Sequence, residues 1–289
     1  MATARKKTAA KKATSRKKTT KKKAATRKPA AKKAGATTKD PARAGESWTA
    51  PRLMAHLERL GTAQNRKIYA RHGADPGSMF GVSFANLYAL QKRIKADHDL
   101  ANKLWKTGNA DAQILAALVA DHERATRAEL EAWLASAGAW FMAIDSFATH
   151  VARTPHALAL AKKWMRSKDE FTRRAGYSTL NSILKHDTAE LDTAYLETVL
   201  ATIEKQVHAS PNRAREAMNT TVICIGVYHD PLEKKALAAA KRIGKVDVFH
   251  GDGTRCKDFI ATVEIPKARA HRKKMAAKKK ARKKAAAKR

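Results

Sequence analysis

The sequence predicts an all-α protein, a curved α-solenoid of stacked helix pairs set between two disordered lysine-rich tails. Three observations carry that expectation. From about Trp48 onward apolar residues recur at helical spacing in segment after segment, turn signals separate the segments, and almost no run alternates like a half-buried strand. The charge sits at the ends. Residues 1–46 hold 17 Lys/Arg against Asp40 and Glu46, and residues 267–289 hold 13 with no acid, so 28 of the net 34 positive charges lie in the tails.

The periodicity places helices at about 50–71 with a break near Gly61, then at 83–95, 97–107, 110–120, 126–136, 139–151, 155–166, 169–186, 190–208, 212–227 and 230–242. Their starts are marked. Thr126 with Glu129 and Ser167 with Glu170 have capping-box spacing, while Ser210-Pro211 and Asp230-Pro231 offer an N-cap followed by proline at the first helical position. The pairs 97–120, 126–151, 155–186 and 190–227 recur at the period of HEAT-like repeats. Such an array offers a concave face to an elongated ligand, and the folded domain is expected to span 47–266.

Two segments stand apart. "RHGADPGSMFGVS" at 71–83 reads as a Gly/Pro loop holding His72, and "GKVDVFHGDGTRCKDF" at 244–259 contains one possible strand and a glycine turn. His250, Asp252, Cys256 and Asp258 lack the paired ligand doublets of zinc sites, so this segment is expected to cap the last helices and hold no metal.

The Lys/Ala/Thr tails contain too few large side chains to order a backbone when free. Lysine every two or three residues on a flexible chain suits a polyphosphate, with sequence-independent and salt-sensitive affinity. Neither tail has the apolar face of an interfacial helix, which disfavours a membrane surface. The first residues lack the apolar core of a signal peptide and no window approaches a membrane span, so an intracellular protein is expected. Cys224 and Cys256 are too few for a disulfide framework, and Cys224, inside "TTVICIGVY", reads as a small core residue.

The chemistry centres on "AWFMAIDSFATHV", residues 139–151. Asp145 stands among apolar side chains and must be paired, exposed or chemically employed. Phe141 lies four residues earlier on the same helical face, while Trp140, Ile144 and Phe147 supply a packing stripe. The candidate cations are Arg173 and Arg174 in "DEFTRRAGYSTL". An ion pair that only joins two helices satisfies this spacing as well as a working site does.

The ordered segments "YARHGADPGSMFGV", "DHDLANKLWKTGNADAQILAALVAD", the aromatic-x-x-x-Asp of residues 141–145, "FTRRAGY", "AREAMNTTVICIG" and "RIGKVDVFHGDGTRCK" together resemble the AlkD-type DNA alkylation repair family over about residues 60–260. The resemblance implies a HEAT-like superhelix holding duplex DNA on its concave face. It implies excision of N3- and N7-alkylated purines by a monofunctional glycosylase without metal or cofactor. The family's carboxylate then falls on Asp145, its aromatic on Phe141 and its arginine on Arg174. Trp140, Arg173 and Thr220 are the expected substrate contacts.

An alkylated purine is already cationic and leaves as a neutral base, so an anion beside the sugar is the useful catalytic group. Two positions depart from the family pattern. Phe141 and Thr220 stand where characterised members resemble one another in having tryptophan, and Trp140 points about 100° away from position 141 on an ideal helix. The alternative expectation is therefore a non-catalytic HEAT-repeat protein that recognises damaged or unusual DNA. The partner in both cases is double-stranded DNA, gripped at its phosphates by the tails, and the protein is expected to be a monomer in a bacterial cytoplasm, at the nucleoid.

Overall fold

The computed structural model of the chain describes residues 47–286. The first tail, 1–46, lies outside the described residues. The first helices are α1 (Ala50–Leu60), α2 (Ala63–Arg71), α3 (Phe84–Ile94), α4 (His98–Trp105) and α5 (Ala110–Val119). Next come α6 (Arg127–Ala135), α7 (Phe141–Val151), α8 (Ala157–Trp164) and α9 (Glu170–His186). The last are α10 (Thr193–Gln206), α11 (Asn212–Tyr228), α12 (Glu233–Ile243) and α13 (Ala261–Ala286). Among the described residues there is no strand, so the possible strand within 244–259 is extended coil.

The expected pairs form as α4 with α5, α6 with α7, α8 with α9 and α10 with α11. Helix α9 is the central element, packed on α7, α8 and α11. Its Gly176 makes the approach to α8 possible, because a Cβ there would collide with the backbone at Trp164 and Met165. The apolar core changes hands on this helix. Ala175 belongs to a cluster reaching back to Leu53, and Tyr177 to a cluster reaching forward to Ile265. In the first cluster Trp105 and Trp133 stack at 4.3 Å, and Phe147 links them to Trp164.

Caps differ from expectation at three of four places. Thr126 caps α6 by accepting from the Glu129 N–H. At α9 the cap is Asp169, and the hydroxyl of Ser167 accepts from the Asp169 N–H instead. Pro211 precedes α11, and the hydroxyl of Ser210 donates to Gln206, so the α11 amides turn to Glu170, whose carboxylate accepts from the Arg213 N–H. Asp230-Pro231 opens a 3-10 turn, not an α-helix.

The loop 71–83 is held by a buried acid. Asp111 accepts from the N–H groups of Phe80, Gly81 and Val82 at 2.7, 2.8 and 3.1 Å. Cys224 lies in the core, and burial pushes its thiol up to about 12, which suits packing and not nucleophilic chemistry.

The second tail differs most. Disorder is expected from 267, yet α13 runs unbroken from Ala261 to Ala286. Ala, Lys and Arg are strong helix formers, so the composition that removes a core does not oppose a helix. Docking supplies the rest. Ile265 is fully buried beside Gly226, and Arg269 reaches Asp230 at 2.9 Å and Glu233 at 3.0 Å. No helix among the described residues is long and apolar enough to cross a membrane.

Candidate functional site

Asp145 lies on α7 with its side chain 39% exposed, facing Arg174 of α9, whose side chain is 6% exposed. The pair is bidentate. Arg174 Nε donates to Asp145 Oδ1 at 3.0 Å and its Nη2 donates to Oδ2 at 2.7 Å. Ser178, one turn further along α9, donates to Oδ1 at 2.8 Å. Asp145 is thus paired and open at once, with Oδ2 holding only one hydrogen bond among the described residues.

Behind the pair lies a charged network from α11. Arg174 Nη1 donates to the Arg213 carbonyl at 2.8 Å and to Glu216 Oε2 at 2.9 Å. Arg213 Nη1 donates to the same Glu216 oxygen at 3.1 Å. Burial pulls the Arg174 guanidinium down, but the Asp145 and Glu216 charges outweigh it and hold it above the ordinary arginine value. It stays a cation. Phe141 is flanked by both guanidiniums, with Arg213 at 4.4 Å and Arg174 at 5.0 Å from its ring centroid.

Phe141, Asp145, Arg174, Ser178 and Glu216 line a groove of about 440 Å³ that also takes in Thr220, Lys185, Tyr228 and Phe259. Thr220 turns its hydroxyl onto the Glu216 carbonyl at 2.9 Å and gives that wall no ring. Phe259 is 54% exposed, so the groove has aromatic surface that the sequence reading missed. No local signal marked it. Glu216, Ser178, Tyr228 and Phe259 join the site only through contacts between distant segments.

Two expected contacts fall elsewhere. Trp140 is 3% exposed and packs on Tyr69 at 5.1 Å, so it belongs to the core and cannot meet a ligand. Its position just before the first residue of α7 turns it inward, as its 100° offset from Phe141 implies. Arg173 is held by the Ser167 carbonyl and the Ser210 hydroxyl and lines a separate cavity with Lys162, Arg166 and Tyr195. Consecutive residues on a helix diverge by the same angle, so Arg174 alone faces Asp145. Among the described residues no cluster of His, Cys, Asp or Glu has the makings of a metal site. His250 instead contacts Asp258 at 3.2 Å, and the 244–259 segment packs through Val246.

An all-helical array of paired helices, with a carboxylate–arginine pair opening on a groove, is the architecture of a HEAT-like repeat protein. The DNA alkylation repair enzyme family model matches residues 53–283, and the chain belongs to that family. It is 31% identical over 225 residues to an uncharacterized protein of Listeria monocytogenes, covering 76% of this chain and 97% of the relative. An uncharacterized protein of Listeria innocua matches with the same identity and coverage. A solved structure from a new family of proteins related to the HEAT-like repeat DNA glycosylases with affinity for branched DNA structures is similar with a TM-score of 0.69 and 28% identity, over 76% of this chain and 93% of that one.

Proposed function

We propose that this protein binds double-stranded DNA at damaged or branched positions, with the duplex against the Asp145 groove and the lysine-rich ends on the phosphate backbone. The observation that carries this reading is the occupancy of Phe141. Its ring is already engaged by Arg213 and Arg174, and Thr220 supplies no second ring, so the aromatic beside Asp145 is not free to receive a cationic purine. The exposed Lys185 on the same groove offers a cation to a phosphate. The affinity for branched DNA of the similar solved protein supports the same direction.

The test is fluorescence anisotropy of the full chain with a linear duplex, a three-way junction and a four-way junction at one ionic strength. Tighter binding of the junctions is expected. Equal affinity for all three, or none for any, overturns the reading.

A second reading is favoured by the open side of Asp145 Oδ2. There the protein excises N3- or N7-alkylated purines: the bond from the sugar to the purine breaks with its electron pair leaving on the base, which departs neutral, and water adds to the sugar carbon and loses one proton to the solvent. Asp145 stabilises the positive charge that develops on the sugar and orients the water. Single-turnover release of N7-methylguanine from alkylated duplex, lost in Asp145→Asn at equal DNA occupancy, is the expected result. Absence of release from both proteins at saturated binding removes this second reading.

A further inference from the structure

The segment 244–259 crosses to α2 and holds one exposed aromatic in a fixed place. Asn212, the first residue of α11, clamps the backbone of Phe249 from both sides. Its Oδ1 accepts from the Phe249 N–H at 2.7 Å and its Nδ2 donates to the Phe249 carbonyl at 2.8 Å. On one flank the Val248 N–H donates to Asp258 at 3.1 Å, and on the other the His250 carbonyl lies 3.1 Å from His72 Nδ1. Gly251 follows with φ of +104°, where a Cβ would collide with the Arg71 carbonyl oxygen. Five neighbouring constraints thus fix a residue that is 62% exposed. Such an investment of backbone order in an exposed phenyl ring has no use in the core.

The surroundings say what the ring meets. Phe249 lines a cavity of about 560 Å³ with Lys67, Arg71, Asn212 and Arg213, and Asp252 is its one acid. Lys67 and Arg71 are four residues apart on the exposed face of α2, and neither makes an ion pair among the described residues. An aromatic face between unneutralised cations is the surface that binds unstacked bases. The cavity also adjoins the groove, since Arg213 lines it while lying 4.4 Å over Phe141.

We infer that Phe249 is a stacking post for an unpaired nucleobase, with Lys67 and Arg71 taking the phosphates beside it. The inference rests on the DNA-binding reading above and deepens it. In an intact duplex every base is already stacked and Phe249 gains nothing; at a junction or bulge a free base meets a ring that needs no ordering. Preference for branched over linear DNA then arises at this residue.

The experiment uses the full chain and a three-way junction carrying an unpaired 2-aminopurine at the branch, with a linear duplex as the reference. Affinity and 2-aminopurine quenching are measured for the natural protein, Phe249→Ala and Phe249→Trp. Phe249→Ala is expected to weaken junction binding roughly 5- to 150-fold and abolish quenching, as loss of one base–aromatic stack implies, with duplex affinity unchanged. Phe249→Trp is expected to restore both. A Phe249→Ala protein that keeps the junction preference and the quenching overturns this inference alone. A natural protein that shows no junction preference overturns the reading beneath it as well.

Discussion

Arg174 has five N–H donors, and four are taken: two by Asp145, one by the Arg213 carbonyl and one by Glu216. The two partners of the salt link are therefore unequal. Losing Asp145 leaves Arg174 with Glu216, whereas losing Arg174 leaves two carboxylates facing one another with less compensation. Arg174→Met is expected to destabilise the protein by about 3–5 kcal/mol, the usual cost of breaking a buried pair from one side. Asp145→Asn keeps the shape and is expected to cost less, about 1.5–3 kcal/mol, the value of hydrogen bonds to a charged group. Urea unfolding of both variants checks the order, and equal losses would show that Glu216 gives Arg174 no independent support.

Helix α7 carries this residue chemistry because its two faces do different work. Phe141 and Asp145 turn to the groove, while Ile144, Phe147, His150 and Val151 are buried. His150 is the weak point of the inner face. Burial, with His122, His98 and Arg153 adding to it, lowers its pKa from 6.5 to about 4. Between those values the unfolded chain binds a proton that the fold refuses, so this contribution to stability is complete above pH 6.5 and is lost as pH falls toward 4. The full loss is about 3 kcal/mol, from about 1.4 kcal/mol for each pH unit. Denaturant melts of the natural protein and His150→Leu across that range are expected to show the slope flattened in the variant; parallel slopes would assign it to other groups.

The same helix shows what a sequence can disclose. A carboxylate on an apolar helix demands a cation, and Arg173 and Arg174 both answer that demand in the sequence, but only the register of α9 against α7 separates the two. Trp140 is ambiguous in the sequence for the same reason. The helix pairs are legible because apolar spacing is local, whereas Glu216, Tyr228 and Phe259 reach the site from segments 71 or more residues away from Asp145 and leave no mark in any window. The second tail misled because Lys/Ala composition speaks against a core and for a helix at once, and the docking of Ile265 decides.

Across the whole chain, charge and core are segregated, with 30 Lys/Arg in residues 1–46 and 267–289. Removing residues 1–46 and 273–289 spares the docked start of α13 and should shrink the salt dependence of duplex affinity, by about 0.9 in log–log slope for every phosphate no longer neutralised. Anisotropy titrations over about 50–200 mM salt read the slope directly. An unchanged slope would assign the phosphate binding to the helical array alone.

The docked start of α13 has its own consequence. Ile265 enters the notch left by Gly226, while from His271 onward the side chains whose exposure is described are open to solvent. One helix therefore has a greasy root and an ionic tip, and the two answer salt in opposite directions. Sulfate or phosphate screens the charges of the tip and tightens the root. On the proposed reading, in which the tip holds DNA phosphates, salt frees the DNA from this end while the helix stays docked on the body that bears it.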